Sequence, residues 1–192
     1  IFIILPRASV SAKRIMEVLD TKTRIADGKV DKASEGVSEI RYENVSFRYP
    51  DAEEDVLTEI TFSAKKGETV AFIGSTGCGK STLINLLARF YDVTGGAITV
   101  DGVNVKEYTQ EALRDKIGLV AQKAVLFGGT IRSNVGYGEK GNKDKYSDEE
   151  IYKALEIAQA KEFVDKLEDG LDAHVAQGGT NFSGGQKQRL SI

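Results

Sequence analysis

Cysteine and histidine are nearly missing from this 192-residue sequence, each occurring once. A single cysteine excludes an internal disulfide framework. A single histidine excludes a histidine-pair metal site or a cysteine–histidine cluster. Proline occurs twice against 20 glycines, so turn and loop work falls to glycine, and the places where glycines cluster carry information. Neither sign of charge dominates: 26 Lys and Arg stand against 29 Asp and Glu, a net of −3. That leaves no global basic field for nucleic acid, while a local cradle for anions stays open. The opening run Ile1-Phe2-Ile3-Ile4-Leu5 is far below the roughly 20 residues that span a bilayer. It also lacks the basic start and small-residue cleavage site of a signal peptide. What is present suffices for a packed core, since 41% of residues are apolar and 29% charged.

The sequence opens on Ile and closes on Lys187-Gln188-Arg189-Leu190-Ser191-Ile192 in mid-pattern, without cap or breaker. It reads as a fragment cut at both ends. Along it, Ile15, Val18 and Leu19 with Lys13, Arg14 and Glu17 predict a helix over 8–20, entered at Pro6. A polar stretch from Thr21 to Glu39, holding Gly28 and Gly36, reads as a linker. Ile40, Tyr42, Val45 and Phe47 predict a strand, or a strand pair with a bulge. Further strands are expected at Val56–Ala64, Thr69–Ile73, Ala97–Val100 and Ile117–Ala121, with an apolar helix over Ser81–Tyr91. From Ser147 the chain reads as helical. Ser147 with Glu150 has the capping-box spacing, and Ile151, Ala154, Leu155 and Ala158 form the apolar stripe. The class is α/β with antiparallel strand content near the start.

Three of the 20 glycines fall in Gly74-Ser75-Thr76-Gly77-Cys78-Gly79-Lys80-Ser81, which matches G-x-x-x-x-G-K-[ST] in full, between an apolar strand pattern and a helix pattern. The chemistry explains the residue types. Nucleotide phosphates need several N–H donors aimed inward, glycine lets backbone approach closely, and the helix N-terminus adds partial positive charge. Lys80 is expected to reach the β- and γ-phosphates and the Ser81 hydroxyl to ligate Mg²⁺. A chance glycine turn with an exposed lysine is the bland alternative, and the strand–loop–helix context disfavours it. Cys78 reads as filler within the loop, although a helix N-terminus lowers a thiol pKa.

A second cluster, Gly178-Gly179-Thr180-Asn181-Phe182-Ser183-Gly184-Gly185-Gln186, precedes the terminal basic run. A hydroxyl, free N–H groups and a helix dipole would form another anion cradle there. Two cradles about a hundred residues apart either grip one ligand from both ends or serve two ligands in a dimer.

Phe182-Ser183-Gly184-Gly185-Gln186 resembles the signature motif of ATP-binding cassette (ABC) proteins, with Phe where Leu is commoner. With the phosphate loop, the resemblance covers nearly all of residues 38–192. It implies a P-loop NTPase core with an antiparallel β subdomain and a helical subdomain. ATP and Mg²⁺ are the implied ligands, held by Gly74, Ser75, Thr76, Gly77, Cys78, Gly79, Lys80, Ser81 and Thr82. Tyr49, in Phe47-Arg48-Tyr49-Pro50, matches the aromatic that stacks on adenine. Gln122, after Gly118-Leu119-Val120-Ala121, matches the glutamine that contacts Mg²⁺ and couples to the transmembrane part. Ser183, Gly184, Gly185 and Gln186 would contact ATP bound by a second nucleotide-binding domain, in a homo- or heterodimer. Phe127-Gly128-Gly129-Thr130-Ile131-Arg132-Ser133-Asn134-Val135 also looks like exporter cassettes.

Residues 1–37 resemble the end of the last transmembrane helix and the connector of exporter half-transporters, fused to a nucleotide-binding domain over 38–192 that is incomplete at its C-terminus. The resemblance implies an exporter that hydrolyses ATP, on the cytoplasmic face of the cell membrane, with the transmembrane domain on the same chain and no nucleic-acid partner. Asp101 is rejected as the Mg²⁺ carboxylate, because Asp101-Gly102 is a hairpin turn signal. His174 reads as an exposed loop residue, and Asp165, Glu168, Asp169 and Asp172 as a solvated acidic face. The family places the Walker B strand and catalytic carboxylate after the signature helix, so no catalytic residue is expected within this chain. The alternatives are an ATP-binding half with a degenerate, poorly hydrolysing site, and a soluble cassette protein acting on DNA or ribosomes. The prefix and the net charge argue against the latter.

Overall fold

The apolar residues between Ile40 and Phe47 alternate because they belong to a sheet with one buried face, as the burial of Tyr42, Val45 and Phe47 in the computed structural model shows. Residues 4–32, 38–138 and 146–192 are described. Ile1–Ile3, and Gly36 within 33–37, lie outside them. The chain divides into two compact units, Ile1–Gly118 and Leu119–Ile192.

In the first unit, strands β1 (Glu39–Phe47), β2 (Leu57–Lys65), β3 (Gly95–Val100) and β4 (Val103–Asn104) form an antiparallel sheet in the order β2-β1-β3-β4. The expected bulge is present. Register slips between Tyr42 and Val45, where Asn44 adopts φ 48°. Helix α1 (Ile4–Leu19) precedes the sheet. It starts earlier than expected, with Pro6 inside its first turn, where the missing N–H has no intrahelical partner to lose. Helix α2 (Lys80–Leu87) follows β2 and ends sooner than the Tyr91 expected. It buries Leu83 and Leu86 in one cluster with Tyr42, Phe47 and Ile98. Asp101 and Gly102 both take positive φ in the β3–β4 turn, and Asp101 pairs with Lys116 at 2.8 Å. The carboxylate is therefore structural. A short helix α3 (Gln110–Arg114) is capped by Thr109.

Two expected strands do not form. Residues 69–73 and 117–121 belong to no strand and have no ladder partner among the described residues. A strand exists only by hydrogen bonding to a neighbour, and here Val70, Phe72, Ile73, Leu119 and Val120 stand exposed. The linker is also not free throughout, since Gly28, Lys29 and Val30 donate backbone N–H groups to Tyr108 and Glu107 carbonyls.

The second unit contains β5 (Gly129–Thr130), α4 (Ile131–Val135), α5 (Asp148–Ile157), α6 (Lys161–Val164), β6 (His174–Val175) and α7 (Gly184–Leu190), with β5 and β6 paired antiparallel. Ile151, Leu155, Ala158, Val164, Val175 and Phe182 share its core. His174 is exposed, on the short strand β6 rather than in a loop. The four acidic residues are also exposed, although Asp172 accepts from Arg132 Nε at 3.1 Å. The Ser147 capping box is present: Ser147 Oγ accepts from Glu150 N, and Glu150 Oε2 accepts from Ser147 N. Ser147→Ala should therefore cost about 1 kcal/mol, read as a lower urea midpoint. The Glu150 carboxyl is held below its ordinary value by the Ser147 backbone N–H and then its hydroxyl. A lowered folded pKa contributes stability that is fully present above the unfolded value of 4.5 and is lost as pH falls through the folded one. The penalty of the substitution should accordingly shrink in acid.

Candidate functional site

The phosphate loop runs from Gly74 into α2, whose N-cap is Gly79 at φ 89°, with no side chain bonded to the helix start. The first-turn N–H groups of a helix have no intrahelical partner, so they face outward with the positive end of the dipole. Glycine is favoured at 79 by its left-handed φ, and a Cβ there would also lie 3.2 Å from Val56 O. Lys80 Nζ folds back over the loop, donating to Gly74 O at 2.8 Å, Ser75 O at 2.7 Å and Cys78 Sγ at 3.3 Å. Its partners are all neutral acceptors. Ser81 is exposed on the first turn. A cavity of about 510 Å³ beside the loop is bordered by Leu57, Phe62, Phe72, Cys78, Gly79 and Lys80.

Thr82 is buried, and its hydroxyl pairs with the Tyr49 hydroxyl at 2.9 Å. Tyr42 donates to Leu83 O at 2.9 Å, and burial pushes its phenol pKa up. Two tyrosines from the sheet side therefore hold the start of α2. Tyr49 lies edge-on to Phe47 and Tyr91, beside a cavity of about 580 Å³ that Arg24, Ile25 and Phe90 also line. The structure thus brings Tyr49, Lys80, Ser81 and Thr82 to one helix end.

Gln122 and the second cradle belong to the other unit. Gln122 is an exposed loop residue. Ser183 caps α7 in a reciprocal box: its Oγ accepts from Gln186 N at 3.3 Å, and Gln186 Oε1 accepts from Ser183 N at 2.8 Å. The Ser183 hydroxyl keeps its proton for donation. Nothing lies within 4 Å of a Cβ placed on Gly184 or Gly185, so a ligand can approach this backbone directly. Phe182 turns inward to the core, and Asn181 fixes the approach by donating to His174 O at 2.8 Å while accepting from Ala176 N at 3.0 Å.

Residues 57–192 match the ABC transporter family. The chain belongs to that family. Within it, this stretch is the ATP-binding domain. An uncharacterized ABC transporter ATP-binding protein of Mycobacterium tuberculosis is 48% identical over 98% of this chain and 32% of its own length. The ATP-dependent lipid A-core flippase of Haemophilus ducreyi is 43% identical over 97% of this chain and 31% of its own. A solved structure of a bacterial Atm1-family ABC exporter with ATP bound superposes with a TM-score of 0.86 at 33% identity, over 97% of this chain and 32% of that one. The ABC chain described here thus spans about a third of the length of these relatives. Among the described residues, no helix is long and apolar enough to cross a membrane.

Sequence reasoning missed two arginines that organise the units. Arg132 bridges Asp148 and Asp172, and its guanidinium, hydrogen-bonded to Asp148, holds the Asp148 carboxyl below its ordinary range. Arg89 is buried just after α2. Its only signal is one charge at the end of an apolar helix pattern, Ala88-Arg89-Phe90.

Proposed function

We propose that this chain is the ATP-binding part of an exporter that hydrolyses ATP, and that it works as one half of a nucleotide sandwich. The observation that carries the reading is the start of α2: a helix N-terminus left without a side-chain cap, with the Lys80 ammonium lying over it on exchangeable carbonyl contacts. Phosphate oxygens would take the outward N–H groups of Gly79, Lys80 and Ser81 and draw Lys80 off Gly74 and Ser75. Gly74, Ser75, Thr76, Gly77 and Cys78 shape the loop, and Thr82 anchors it through Tyr49. Tyr49 offers adenine an aromatic face, and the Ser81 hydroxyl would hold Mg²⁺. When bound, Mg²⁺ neutralises charge on the β- and γ-phosphate oxygens.

Ser183, Gly184, Gly185 and Gln186 would complete the site of a second nucleotide-binding domain. The open glycines and the spare Ser183 proton support this role. Contacts from both partners to the γ-phosphate favour the closed dimer selectively, which is how ATP binding would do work on a membrane domain. That domain belongs to the same chain in our reading, with residues 1–37 as the connector, 38–192 as the cassette, and the assembly on the cytoplasmic face. The remaining strands, with the Walker B carboxylate and catalytic base, lie outside residues 1–192. The exposed apolar faces of 69–73 and 119–120 and the one-third coverage of relatives support that placement. Residues 1–192 should therefore bind Mg-ATP and release no phosphate above background. Turnover equal to that of the intact transporter would place the base within these residues instead.

A further inference from the structure

Thr82 and Arg89 are the buried polar side chains of the described core, and they stand at opposite ends of α2. Thr82 serves the nucleotide loop; Arg89 has no part in it. A guanidinium on a side chain only 4% exposed is costly unless its N–H groups find acceptors. Here Nε donates to Asp92 Oδ1 at 3.0 Å, Nη1 to Tyr108 O at 3.2 Å and Nη2 to Ala26 O at 2.8 Å. Its backbone sits at φ 52°, a conformation a non-glycine residue keeps only where its surroundings enforce it.

Two of the three acceptors belong to one seam. Gly28 N donates to Tyr108 O at 3.0 Å, and Lys29 N and Val30 N donate to Glu107 O at 2.8 and 2.9 Å. Thr109 N donates back to Val30 O at 3.0 Å. Asp27 Oδ1 accepts from Gln110 N at 2.9 Å. The seam is close enough that a Cβ on Gly28 would lie 2.0 Å from Glu107 O. Arg114 meanwhile reaches the last carbonyls of the helix end, Ala88 O and Arg89 O, at 3.4 and 3.5 Å. The C-terminal end of α2 is thus tied to residues 26–30, which follow α1 in the chain.

We propose that Arg89 is a positioning residue that locks residues 26–30 onto the far end of α2, so that docking of this segment and nucleotide binding at Lys80 are thermodynamically linked. The inference rests on the ATP-binding reading above. Helix α2 is about 12 Å long at 1.5 Å per residue, short and stiff enough to carry a shift of one end to the other. Linkage is reciprocal: if the docked seam favours the nucleotide-competent position of α2, bound nucleotide must favour the docked seam by the same factor. The segment would then report the state of the nucleotide loop to whatever precedes it in the chain.

The test is hydrogen exchange at the Gly28, Lys29 and Val30 amides in the full-length protein, with and without Mg-ATP, alongside nucleotide affinity by titration. In the wild type, Mg-ATP should slow exchange of these amides by about five-fold or more. Arg89→Met should abolish that slowing and weaken Mg-ATP by a similar factor. Gly28→Ala, which opens the seam while leaving Arg89 in place, should do the same, and it decides the matter alone if Arg89→Met does not fold. The double variant should be no worse than either single one. A merely structural arginine would lower the urea midpoint without making amide exchange depend on nucleotide. Exchange indifferent to Mg-ATP in a wild type that binds it overturns the linkage. A wild type with no affinity for Mg-ATP overturns the nucleotide-loop reading itself, which the titration reports separately, and the linkage with it.

Discussion

Lys80→Ala should weaken Mg-ATP binding by at least about 30-fold, the lower end of what truncating one partner of a desolvated charge contact costs. Lys80 Nζ bonds two backbone carbonyls and the Cys78 sulfur, so its replacement removes loop contacts as well as a phosphate contact. The two effects separate by measurement. The lost loop bonds are exposed and neutral-acceptor bonds, each worth about 0.5–1.5 kcal/mol at most, and they would show as a small shift in thermal midpoint. The lost phosphate contact shows in calorimetric titration with Mg-ATP. Cys78→Ala removes the sulfur acceptor and leaves the carbonyls, and should bind nearly as the wild type does. Unchanged affinity in Lys80→Ala would sink the assignment of this loop to phosphate.

The site was legible in the sequence where chemistry is local. Gly74 to Ser81 specifies a turn, close backbone approach and a helix start within eight consecutive residues, and the structure places these features together. The capping box at Ser147 is also local, closing within three residues. Pairing information is not local. The apolar run Val70–Ile73 reads as a strand on composition, yet it becomes one only beside a neighbour, and among the described residues it has none. The same holds for 117–121. Arg89 and Gly28 were invisible for a related reason: their partners lie 19 and 63 residues away for Arg89, and about 80 for Gly28. Nothing in a polar stretch that holds Gly28 and Gly36 announces a docked seam.

Gly184→Asp offers the sharpest test of the second cradle, because its expected effects on fold and on function have opposite signs. Gly184 is the first residue of α7, after the Ser183 cap, and a Cβ there meets nothing within 4 Å. Aspartate at a helix start is favoured by the dipole, by about 0.3–1 kcal/mol, and replacing glycine in a helix removes a backbone entropy cost. The variant should thus be as stable as the wild type or slightly more so, and its own loop at Lys80 should bind Mg-ATP normally. The same field that stabilises the new carboxylate is the one we assign to a partner's γ-phosphate. With a carboxylate in place, two anions would share one helix end, and like charges at an interface cost several kcal/mol, about 100-fold or more in association. In the full-length protein, Mg-ATP should then fail to drive the nucleotide-binding domains together, as read by sedimentation. Normal ATP-dependent closure in this variant would refute the trans contact. Loss of closure with full stability and full monomer affinity would leave the Ser183 helix as the surface that meets the partner's nucleotide.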